Sequence, residues 1–478
     1  MILVVENHNF QYEMEKLCRI FFPYEKIKTV YENGEFEENT VYTALNGETI
    51  KVKAVIDGKT SEKECFDEKI ETEMQMARLL VKTLSEMTGI VQSWGILTGI
   101  RPSKLMMNEI AKVGREKAVE SFKKRFLVDD IKSNLAADVA DLEGNIIKKT
   151  SKKSFCLYIS IPFCPSRCSY CSFVSHSIER TNKLIDSYVD YLCKEIKMSG
   201  EIVKQIGLTL DAVYFGGGTP TTLDEKQLEK ILECVEESFD LSNLLEYTVE
   251  AGRPDTVTRE KFEVLKRHSV GRVSVNPQTF NDETLKEIGR KHTVKEFYDA
   301  FFLAREYEFD SINIDLIAGL QNDSFESFCK SIESAIALSP ENITVHTLCL
   351  KRSSTMVTDN EKIKNDAKTV EKMVEYADRR LLESGYKPYY MYRQSKSLGN
   401  LENVGWCKNH KECAYNILMM EEVSTIIACG AGAVTKLRDN QSEKIERIFN
   451  FKYPYEYIGR FDELAERKKQ IKQFFDRC

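Results

Sequence analysis

Three cysteines stand within eight residues in the segment IPFCPSRCSYCSF, as Cys164, Cys168 and Cys171. Thiolates grouped this closely are typical of a metal site, and three interpretations follow from the residue types. Zinc could be bound by the three thiolates together with His176, a Cys3His set. The thiolates could instead hold an iron–sulfur cluster. The third interpretation, inert buried cysteines, is disfavoured because two prolines make this a poor core segment.

Other residues with useful chemistry stand at or just after the ends of six short apolar segments. The segments are FCLYISI (155–161), AVYFG (212–216), EYTVEA (246–251), RVSVN (272–276), SINIDLI (311–317) and ITVHTL (343–348). The residues at their ends are, in order, the three cysteines; Gly216, Gly217, Gly218 and Thr219; Glu250, Gly252 and Arg253; Asn276 and Gln278; Asp315; and His346, Lys351 and Arg352.

Amphipathic stretches such as DEKQLEKILECVEESF and KEFYDAFFLAREYEF separate the apolar segments. Strands that alternate with helices predict a parallel sheet, and six such units predict an α/β protein with a partial (β/α)6 barrel. The active site of such a barrel lies at the carboxyl ends of its strands. We therefore expect the six sets of residues to form one site.

Each of these residues also has a simpler interpretation when it is taken alone. Glu250 or Asp315 could belong to a structural ion pair, and His346 could be a hydrogen-bonded core histidine. The glycines 216–218 could form a tight turn, or they could let the backbone approach a ligand. In the second case their N–H groups would bind a carboxylate or a ribose hydroxyl. The occurrence of six such sets in series favours a common site.

The same ring of polar residues favours a cluster over zinc, because a structural zinc site needs no such ring. A [4Fe–4S] cluster held by three thiolates has one iron without a protein ligand. S-adenosylmethionine (SAM) can chelate that iron through its amino and carboxylate groups. Radical chemistry of this type belongs to the cofactor, and the protein positions it.

Composition limits the remaining classes of function. The 478 residues predict two to four domains, and a net charge of −7 gives no broad nucleic-acid-binding surface. The first residues, MILVVENHNF, lack the pattern of a secretory signal, and no apolar run is long enough to span a membrane. We expect a soluble, cytoplasmic protein whose 14 cysteines are mostly reduced. A second metal site at Cys407, His410 and Cys413, with Cys429 nearby, is the less favoured interpretation of those residues.

The pattern along the chain predicts three domains. Residues 1–150 combine strand-like and helical segments and should form an α+β domain that ends at the polar stretch GNIIKKTSKKS. Residues 151–375 should form the partial barrel. Residues 376–478 mix strands, the glycine-rich turn CGAGAVT and a charged C-terminal helix, and should form a further, mainly helical subdomain.

The string YISIPFCPSRCSYCSF, followed by GGGTP, VNPQTF, IGRKHT and NIDLIAGL, resembles the radical SAM superfamily and, within it, the oxygen-independent coproporphyrinogen III oxidase (HemN-like) branch. The N-terminal extension with LTGIRPSKL resembles the HemZ-type members of that branch. The resemblance spans residues 154–450. It implies a partial β/α radical SAM barrel with a C-terminal helical subdomain.

The resemblance also implies roles for individual residues, all of them in binding. Cys164, Cys168 and Cys171 would hold the [4Fe–4S] cluster; Tyr158, Gly217, Glu250 and Val434 would contact the SAM on that cluster; and Tyr170, Gly218, Thr219, Gln278, Arg290 and Asp315 would bind a second SAM, with Cys349 at a further cofactor position. Arg253, Lys351 and Arg352 are the candidates for binding substrate carboxylates, because arginine pairs carboxylates in a bidentate manner.

The implied reaction is the oxygen-independent oxidative decarboxylation of coproporphyrinogen III to protoporphyrinogen IX in haem biosynthesis. Reductive cleavage of SAM gives methionine and a 5′-deoxyadenosyl radical, which takes hydrogen from the β-carbon of a propionate. Carbon dioxide leaves, an electron passes to an acceptor, and a vinyl group remains. The implied partners are a porphyrinogen substrate and an electron donor or acceptor such as flavodoxin or ferredoxin.

The chain departs from the oxidase pattern at Phe173. The oxidase has a fourth cysteine at this position, in C-x3-C-x2-C-x-C, whereas related haem chaperones and haem-modifying enzymes have an aromatic residue. A haem chaperone of the same fold and a radical SAM enzyme that methylates or opens haem are therefore the alternative functions.

Overall fold

We describe a computed structural model of the chain, covering residues 1–23, 25–31, 34, 38–171, 173, 176–349, 366–394 and 397–477. The chain forms two compact units: Met1–Asp141 with Met391–Leu401, and Leu142–Tyr390 with Glu402–Cys478. The three-domain division stays a prediction, and it differs from this grouping in two respects. The grouping returns residues 391–401 to the N-terminal unit, and it keeps the barrel and the C-terminal part together. Among the described residues, no helix is both long and apolar enough to cross a membrane.

The first unit is α+β, as the sequence predicts. Its elements are β1 (Ile2–Glu6), α1 (Gln11–Phe21), β2 (Lys28–Val30), β3 (Thr40–Asn46), β4 (Thr49–Ile56), β5 (Lys59–Cys65), α2 (Thr72–Thr88), α3 (Pro102–Val113), α4 (Arg115–Phe126) and α5 (Asp130–Ile147), the last of which continues into the second unit. The strand order is β2-β1-β3-β4-β5, with β1 parallel to both neighbours and the other pairs antiparallel. Alternate residues of β4 are buried, so one face of the sheet carries the core with α1 and α2.

The described residues of the second unit form thirteen strands. They are β6 (Ser154–Ile161), β7 (Phe163–Cys164), β8 (His176–Ser177), β9 (Thr209–Gly217), β10 (Glu246–Glu250), β11 (Arg272–Ser274), β12 (Ser311–Ala318), β13 (Asn342–Thr347), β14 (Lys387–Arg393, whose last residues belong to the first unit), β15 (Glu402–Cys407), β16 (Thr425–Cys429), β17 (Val434–Arg438) and β18 (Ile445–Phe449). Its described helices are α6 (Ile178–Thr181), α7 (Ile185–Ile206), α8 (Glu225–Ser238), α9 (Arg259–Arg267), α10 (Asp282–Glu287), α11 (Val294–Glu306), α12 (Phe325–Leu338), α13 (Ala367–Glu383), α14 (Ala414–Glu421), α15 (Pro454–Gly459) and α16 (Phe461–Phe475).

The six predicted barrel strands are confirmed as neighbours in one sheet. The order of that sheet is β14-β15-β13-β12-β11-β10-β9-β6-β16-β17-β18, and the pairs from β13 to β6 are all parallel. Nearly every residue of β6 and β12 is buried. Such continuous apolar strands are typical of a parallel sheet covered on both faces. The carboxyl ends of the six strands therefore lie along one edge, where the polar residues were expected to meet.

The C-terminal part contributes strands as well as helices. β16 pairs in parallel with β6 on the side away from β9, and β17 and β18 extend the sheet by antiparallel pairing. Gly430, just after β16, has a φ of 102°, and a Cβ there would lie 2.4 Å from the carbonyl oxygen of Ser160. The chain thus needs glycine at this position in order to pass β6 closely.

A buried ion pair links the C-terminal helix α16 to the barrel helix α7. Lys468 Nζ lies 2.8 Å from Glu195 Oε1, and neither side chain is exposed. Glu195 Oε2 also accepts hydrogen bonds from the N–H of Gly430 at 2.7 Å and from the hydroxyl of Tyr457 at 2.6 Å. Lys468 Nζ donates to the carbonyl oxygen of Ala428 at 2.5 Å. The pair is therefore hydrogen-bonded on both sides, as buried charges must be.

Candidate functional site

The cysteine segment begins where β6 ends, at the carboxyl edge of the sheet. β7 carries Cys164 and pairs with β8, and residues 165–171, which follow β7, form a loop. The N–H of Cys171 donates to the carbonyl oxygen of Cys168 at 3.1 Å, which turns the loop back on itself. The N–H of Ser169 donates to the carbonyl oxygen of Ile288 at 3.0 Å. The cysteines are thus held against the segment that follows α10.

The three thiols share one electrostatic environment. Cys168 is 8% exposed. Burial, followed by the charges of Cys168 and Cys164, raises the pKa of Cys171 to about 11. Cys164 Sγ lies 3.5 Å from the hydroxyl of Thr219, at the end of the glycine run. Thiolates this close repel one another, so the thiols lose their protons to solvent readily only when a positive centre binds the sulfurs, as a metal does.

The geometry distinguishes between the metal interpretations. Among the described residues, no three His, Cys, Asp or Glu side chains are placed to hold a single metal ion. The Cys3His zinc set is therefore not assembled, and the His176 ring packs edge-on against Tyr453, with centroids 5.7 Å apart. An iron–sulfur cluster binds each thiolate at a different iron. Three neighbouring thiols beside two arginines fit such a cluster.

Arg253 is buried, whereas its predicted role in binding substrate requires an accessible side chain. The sequence suggested it for binding substrate carboxylates, but its side chain is 3% exposed. It forms a bidentate pair with Asp255, at 3.0 and 2.9 Å, and its Nη1 donates to Ser166 Oγ at 3.1 Å. A guanidinium with these partners is not available to a substrate carboxylate. Lys351 and Arg352, the other two candidates, lie outside the described residues.

Arg290 connects the cysteine loop to the ends of two neighbouring strands. Its Nη2 donates to the hydroxyl of Tyr170 at 3.3 Å. Its Nη1 donates to the carbonyl oxygens of Asn276 at 2.7 Å and Gly252 at 3.2 Å. Tyr170 and Arg290, both assigned to the second SAM by resemblance, are thus in contact. The role of either residue in binding SAM stays a prediction.

The glycine run serves mainly to pack two strands closely. The N–H of Gly218 donates to the carbonyl oxygen of Ile161 at 2.7 Å, and the N–H of Thr219 donates to that of Phe163 at 2.8 Å. A Cβ on Gly218 would lie 2.5 Å from the Phe163 oxygen, and Gly217 has a φ of 106°. The expectation that backbone N–H groups here bind a ligand is therefore wrong for residues 218 and 219. Their N–H groups already donate to the carbonyl oxygens of Ile161 and Phe163.

Glu250 is a half-buried carboxyl at the end of β10, and Tyr214 is its hydrogen-bond partner. Tyr214 donates its hydroxyl to Glu250 Oε1 at 2.5 Å. Burial raises the pKa of Glu250 to about 7, and the nearby charge of Asp315 adds to the rise. Tyr214 also stacks on Tyr415 and on Tyr158, with ring centroids 4.4 and 6.3 Å apart. A carboxyl that titrates near neutral pH beside aromatic rings is typical of a functional site.

Asp315 is a carboxylate with several hydrogen-bond donors around it. It accepts hydrogen bonds from Asn276 Nδ2 and Asn313 Nδ2, each at 2.8 Å, and His346 Nε2 lies 3.7 Å away. Burial alone would raise the pKa of Asp315, but the hydrogen bond and charge of His346, with the amide donor, lower it. Asp315 is therefore the charged partner and Glu250 the protonatable one, two carboxyls whose environments separate their roles.

Gln278 lies beside Asp315 in a strained conformation. Its φ is 68°, in the left-handed region that side chains other than glycine rarely adopt. Its N–H donates to the carbonyl oxygen of Asp315 at 2.9 Å, and its carbonyl oxygen accepts from Ile317 at 3.0 Å. Strain of this kind is retained where the surrounding structure requires the side chain in one place.

Two further residues assigned to SAM binding, Val434 and Cys349, lie near strand ends. Val434 begins β17, opposite Phe449. Cys349 is half-buried just beyond β13. The proposed second metal set is dispersed: Cys413 Sγ bonds to Glu246, Cys429 Sγ to Ser199, and the side chain of His410 is 87% exposed. The SAM contacts of Val434 and Cys349 stay predictions.

Sequence reasoning missed three participants in this site. Tyr214 is the direct strand partner of Tyr158, so the aligned strands β6 and β9 could have revealed it. Ser166 and Asp255 are small polar residues within the cysteine and GRPD segments. Their types carry no signal, and only the fold shows that Arg253 joins them.

Residues 158–334 match the model of the radical SAM superfamily. The chain is 40% identical to the oxygen-independent coproporphyrinogen-III oxidase-like protein HemZ of Bacillus subtilis, over 87% of this chain and 84% of that protein. It is 37% identical to the heme chaperone HemW of the same organism, over 41% of this chain and 50% of HemW. Its fold is similar to that of coproporphyrinogen III oxidase (HemN) from Escherichia coli, with a TM-score of 0.52 at 21% identity over 68% of this chain and 73% of HemN.

Proposed function

We propose that this chain oxidatively decarboxylates coproporphyrinogen III. The proposal starts from its family: the chain belongs to the radical SAM superfamily and, within it, to the HemN-like group that includes HemZ and HemW. The membership itself implies a [4Fe–4S] cluster and SAM. The substrate, the second SAM and an electron partner such as flavodoxin or ferredoxin are part of the proposal.

The observation that carries the proposal is one chain of contacts through the predicted cofactor residues. Tyr170 of the cysteine loop meets Arg290, Arg290 holds the backbone of Asn276, and the Asn276 amide holds Asp315. Asp315 in turn acts electrostatically on Glu250. These contacts join the residues assigned to SAM binding to the cysteine loop, and this supports a site that uses SAM.

Within this site the residues have separable tasks. Cys164, Cys168 and Cys171 would hold the cluster. When bound, the cluster and SAM supply a 5′-deoxyadenosyl radical that can take hydrogen from a substrate carbon. Glu250 can accept hydrogen bonds from an ammonium group such as that of SAM, because an ionised carboxylate is an acceptor only. Asp315, which is kept ionised by its neighbours, can do the same for a second SAM.

A haem chaperone of the same fold is the second candidate, and Phe173 is the observation that favours it. This residue stands where the oxidase has a fourth cysteine, and it is 67% exposed at the end of the cysteine segment. The similarity to HemW agrees with this alternative. An exposed aromatic ring offers a flat apolar surface to a macrocycle. A radical SAM enzyme that methylates or opens haem is a third candidate on the same grounds.

The test is an anaerobic assay of protein reconstituted with iron and sulfide, given coproporphyrinogen, SAM and a reductant. We expect carbon dioxide and a vinyl-bearing product from the wild type and from Cys329→Ser, a control thiol on α12. Cys168→Ser should give neither. If the wild type holds four irons and binds haem tightly but releases no carbon dioxide, the oxidase proposal fails and the chaperone replaces it. A methylated or ring-opened haem would identify the third candidate.

A further inference from the structure

We propose that Arg253 is a positioning residue of the cluster site, which holds the segment Ser166–Cys168 and keeps a positive charge at the Cys168 sulfur. The inference rests on the proposed function only in that Cys164, Cys168 and Cys171 hold an iron–sulfur cluster. It does not depend on the identity of the substrate.

Contacts outside the cysteine loop fix the orientation of the Arg253 guanidinium. Its Nε and Nη2 donate to the two carboxylate oxygens of Asp255 at 3.0 and 2.9 Å. This bidentate geometry fixes the plane of the guanidinium, which a lysine could not do. The backbone is held as well, because the carbonyl oxygen of Arg253 accepts from the N–H and hydroxyl of Thr256 at 2.9 and 2.7 Å. The remaining nitrogen, Nη1, therefore points in one direction.

Nη1 of Arg253 points towards the cysteine loop. Nη1 donates to Ser166 Oγ at 3.1 Å and approaches Cys168 Sγ at 3.9 Å. Ser166 Oγ donates onward to the carbonyl oxygen of Gly289 at 2.9 Å. Arg253 and the segment around Gly289 thus hold the loop from two sides, just where its middle cysteine stands.

The charges of the assembly are arranged as a dipole with its positive end at the sulfur. Asp255 binds the two nitrogens of Arg253 that face away from Cys168. His292 lies behind Asp255, with Nδ1 at 3.9 Å, and its side chain is fully buried. Burial, aided by the charge of Arg290, lowers the pKa of His292 to about 3, so this ring is neutral and adds no charge. Arg253 is thus the positive group of this assembly, and Arg290, whose charge also acts on Cys168, is a second cation near the same sulfur.

A positive donor at a ligating sulfur has a defined effect on a cluster. Hydrogen bonds to the sulfurs and nearby charge set the reduction potential of iron–sulfur clusters. The reduced cluster carries one more negative charge, so a cation beside Cys168 stabilises the reduced form relative to the oxidised one. Removing the cation should therefore make the cluster harder to reduce.

The test compares the cluster reduction potentials of reconstituted wild type, Arg253→Gln and Arg253→Lys, measured by redox titration followed by electron paramagnetic resonance. The matched control is Arg259→Gln, six residues along on α9, where the arginine is exposed and paired with Glu306. We expect at least a tenfold loss in the equilibrium constant for reduction in Arg253→Gln, which for one electron is 59 mV. The reduction potential of Arg253→Lys should lie between those of Arg253→Gln and wild type, because lysine keeps the charge but loses the bidentate geometry of the guanidinium. The control should match wild type.

An unchanged potential in folded Arg253→Gln with four irons would overturn the proposal. If Arg253→Gln does not fold by circular dichroism, Asp255→Asn takes its place, since it keeps the arginine but removes the charge that orients it. A faster loss of iron in that variant supports the proposal, because the loop has lost its fixed arginine, and a wild-type rate of iron loss overturns it. The proposed function fails separately: a wild type with a normal cluster but no decarboxylation leaves Arg253 in its role.

Discussion

Lys468 of the C-terminal helix and Glu195 of the first barrel helix form an ion pair, 2.8 Å between Nζ and Oε1, with both side chains completely buried. The pair is part of a network that also contains Tyr457 and the backbone of Gly430. Charges at such depth are tolerated only together, because either one alone would keep its desolvation cost without a partner.

The first prediction is that Lys468→Met destabilises the protein strongly. The substitution leaves Glu195 buried without its counterion, which costs about 3–5 kcal/mol in the free energy of unfolding. Urea unfolding followed by circular dichroism measures the change. Lys469→Met is the matched control, because Lys469 is 64% exposed and pairs with Glu466 on the surface, where such pairs contribute about 0–1 kcal/mol. Equal effects of the two substitutions would contradict the proposed importance of the buried pair.

The second prediction concerns the pH dependence of stability through Glu250. Burial raises its pKa from 4.5 to about 7 in the folded protein. Between those values the folded protein keeps a proton that the unfolded chain has released, so the contribution of Glu250 to stability falls as the pH rises through this window. Glu250→Gln removes that loss. The variant should gain stability relative to wild type from pH 4.5 to 7, and the gain should be constant above pH 7.

Unfolding curves of the two proteins at several pH values give this difference. Glu263→Gln, an exposed position on α9, serves as the control and should follow wild type at every pH. A difference between Glu250→Gln and wild type that does not change with pH would mean that the carboxyl is already ionised throughout the window.

The third prediction is that Gly218→Ala disturbs β7, the short strand that carries Cys164. The new methyl group would lie 2.5 Å from the carbonyl oxygen of Phe163, one residue before Cys164. Overpacking of this kind costs about 1–3 kcal/mol, and here the movement falls on Cys164, a predicted ligand of the cluster. We expect lower thermal stability and less iron after reconstitution. Gly144→Ala is the control, since nothing lies within 4 Å of its Cβ, and alanine in a helix should be stabilising by about 1 kcal/mol.

The fourth prediction tests the second SAM directly. Asp315→Asn keeps the shape of the side chain but removes the charge that a ligand ammonium or hydroxyl would meet. One charged hydrogen bond contributes about 1.5–3 kcal/mol, which is roughly 10- to 100-fold in Kd. Anaerobic equilibrium dialysis should find two SAM molecules per wild-type chain and one per variant chain. Asp310→Asn, exposed just before the same strand begins, should keep both. A wild type that binds a single SAM would refute the second site.

Much of the fold could be predicted because its elements alternate so regularly. The apolar segments at 155–161 and 311–317 correspond closely to β6 and β12, and the parallel order follows from the helices between them. The extent of the sheet could not be predicted. β16 joins β6 from the other end of the chain, and no local pattern encodes a pairing between residues so far apart.

The site was predictable to the extent that its residues follow strand ends. Glu250 and Asp315 interact as expected, whereas the role of Arg253 was not foreseen. An arginine near a strand end has the same sequence signature whether it faces solvent or packs under a loop. Only the position of Asp255 and Ser166 in space distinguishes the two, because burial determines which partners a cation has.

The position of β6 between β9 and β16 has a consequence for the order of events during synthesis. β6 ends at Ile161, directly before the cysteine segment, but its second neighbour begins only at Thr425. Until the ribosome has made β16, one edge of β6 has no partner and its backbone N–H and C=O groups are open to other strands. The sheet on both sides of β6 is therefore completed only after β16 has been made, and we expect the metal to be inserted after that point rather than into a shorter nascent chain.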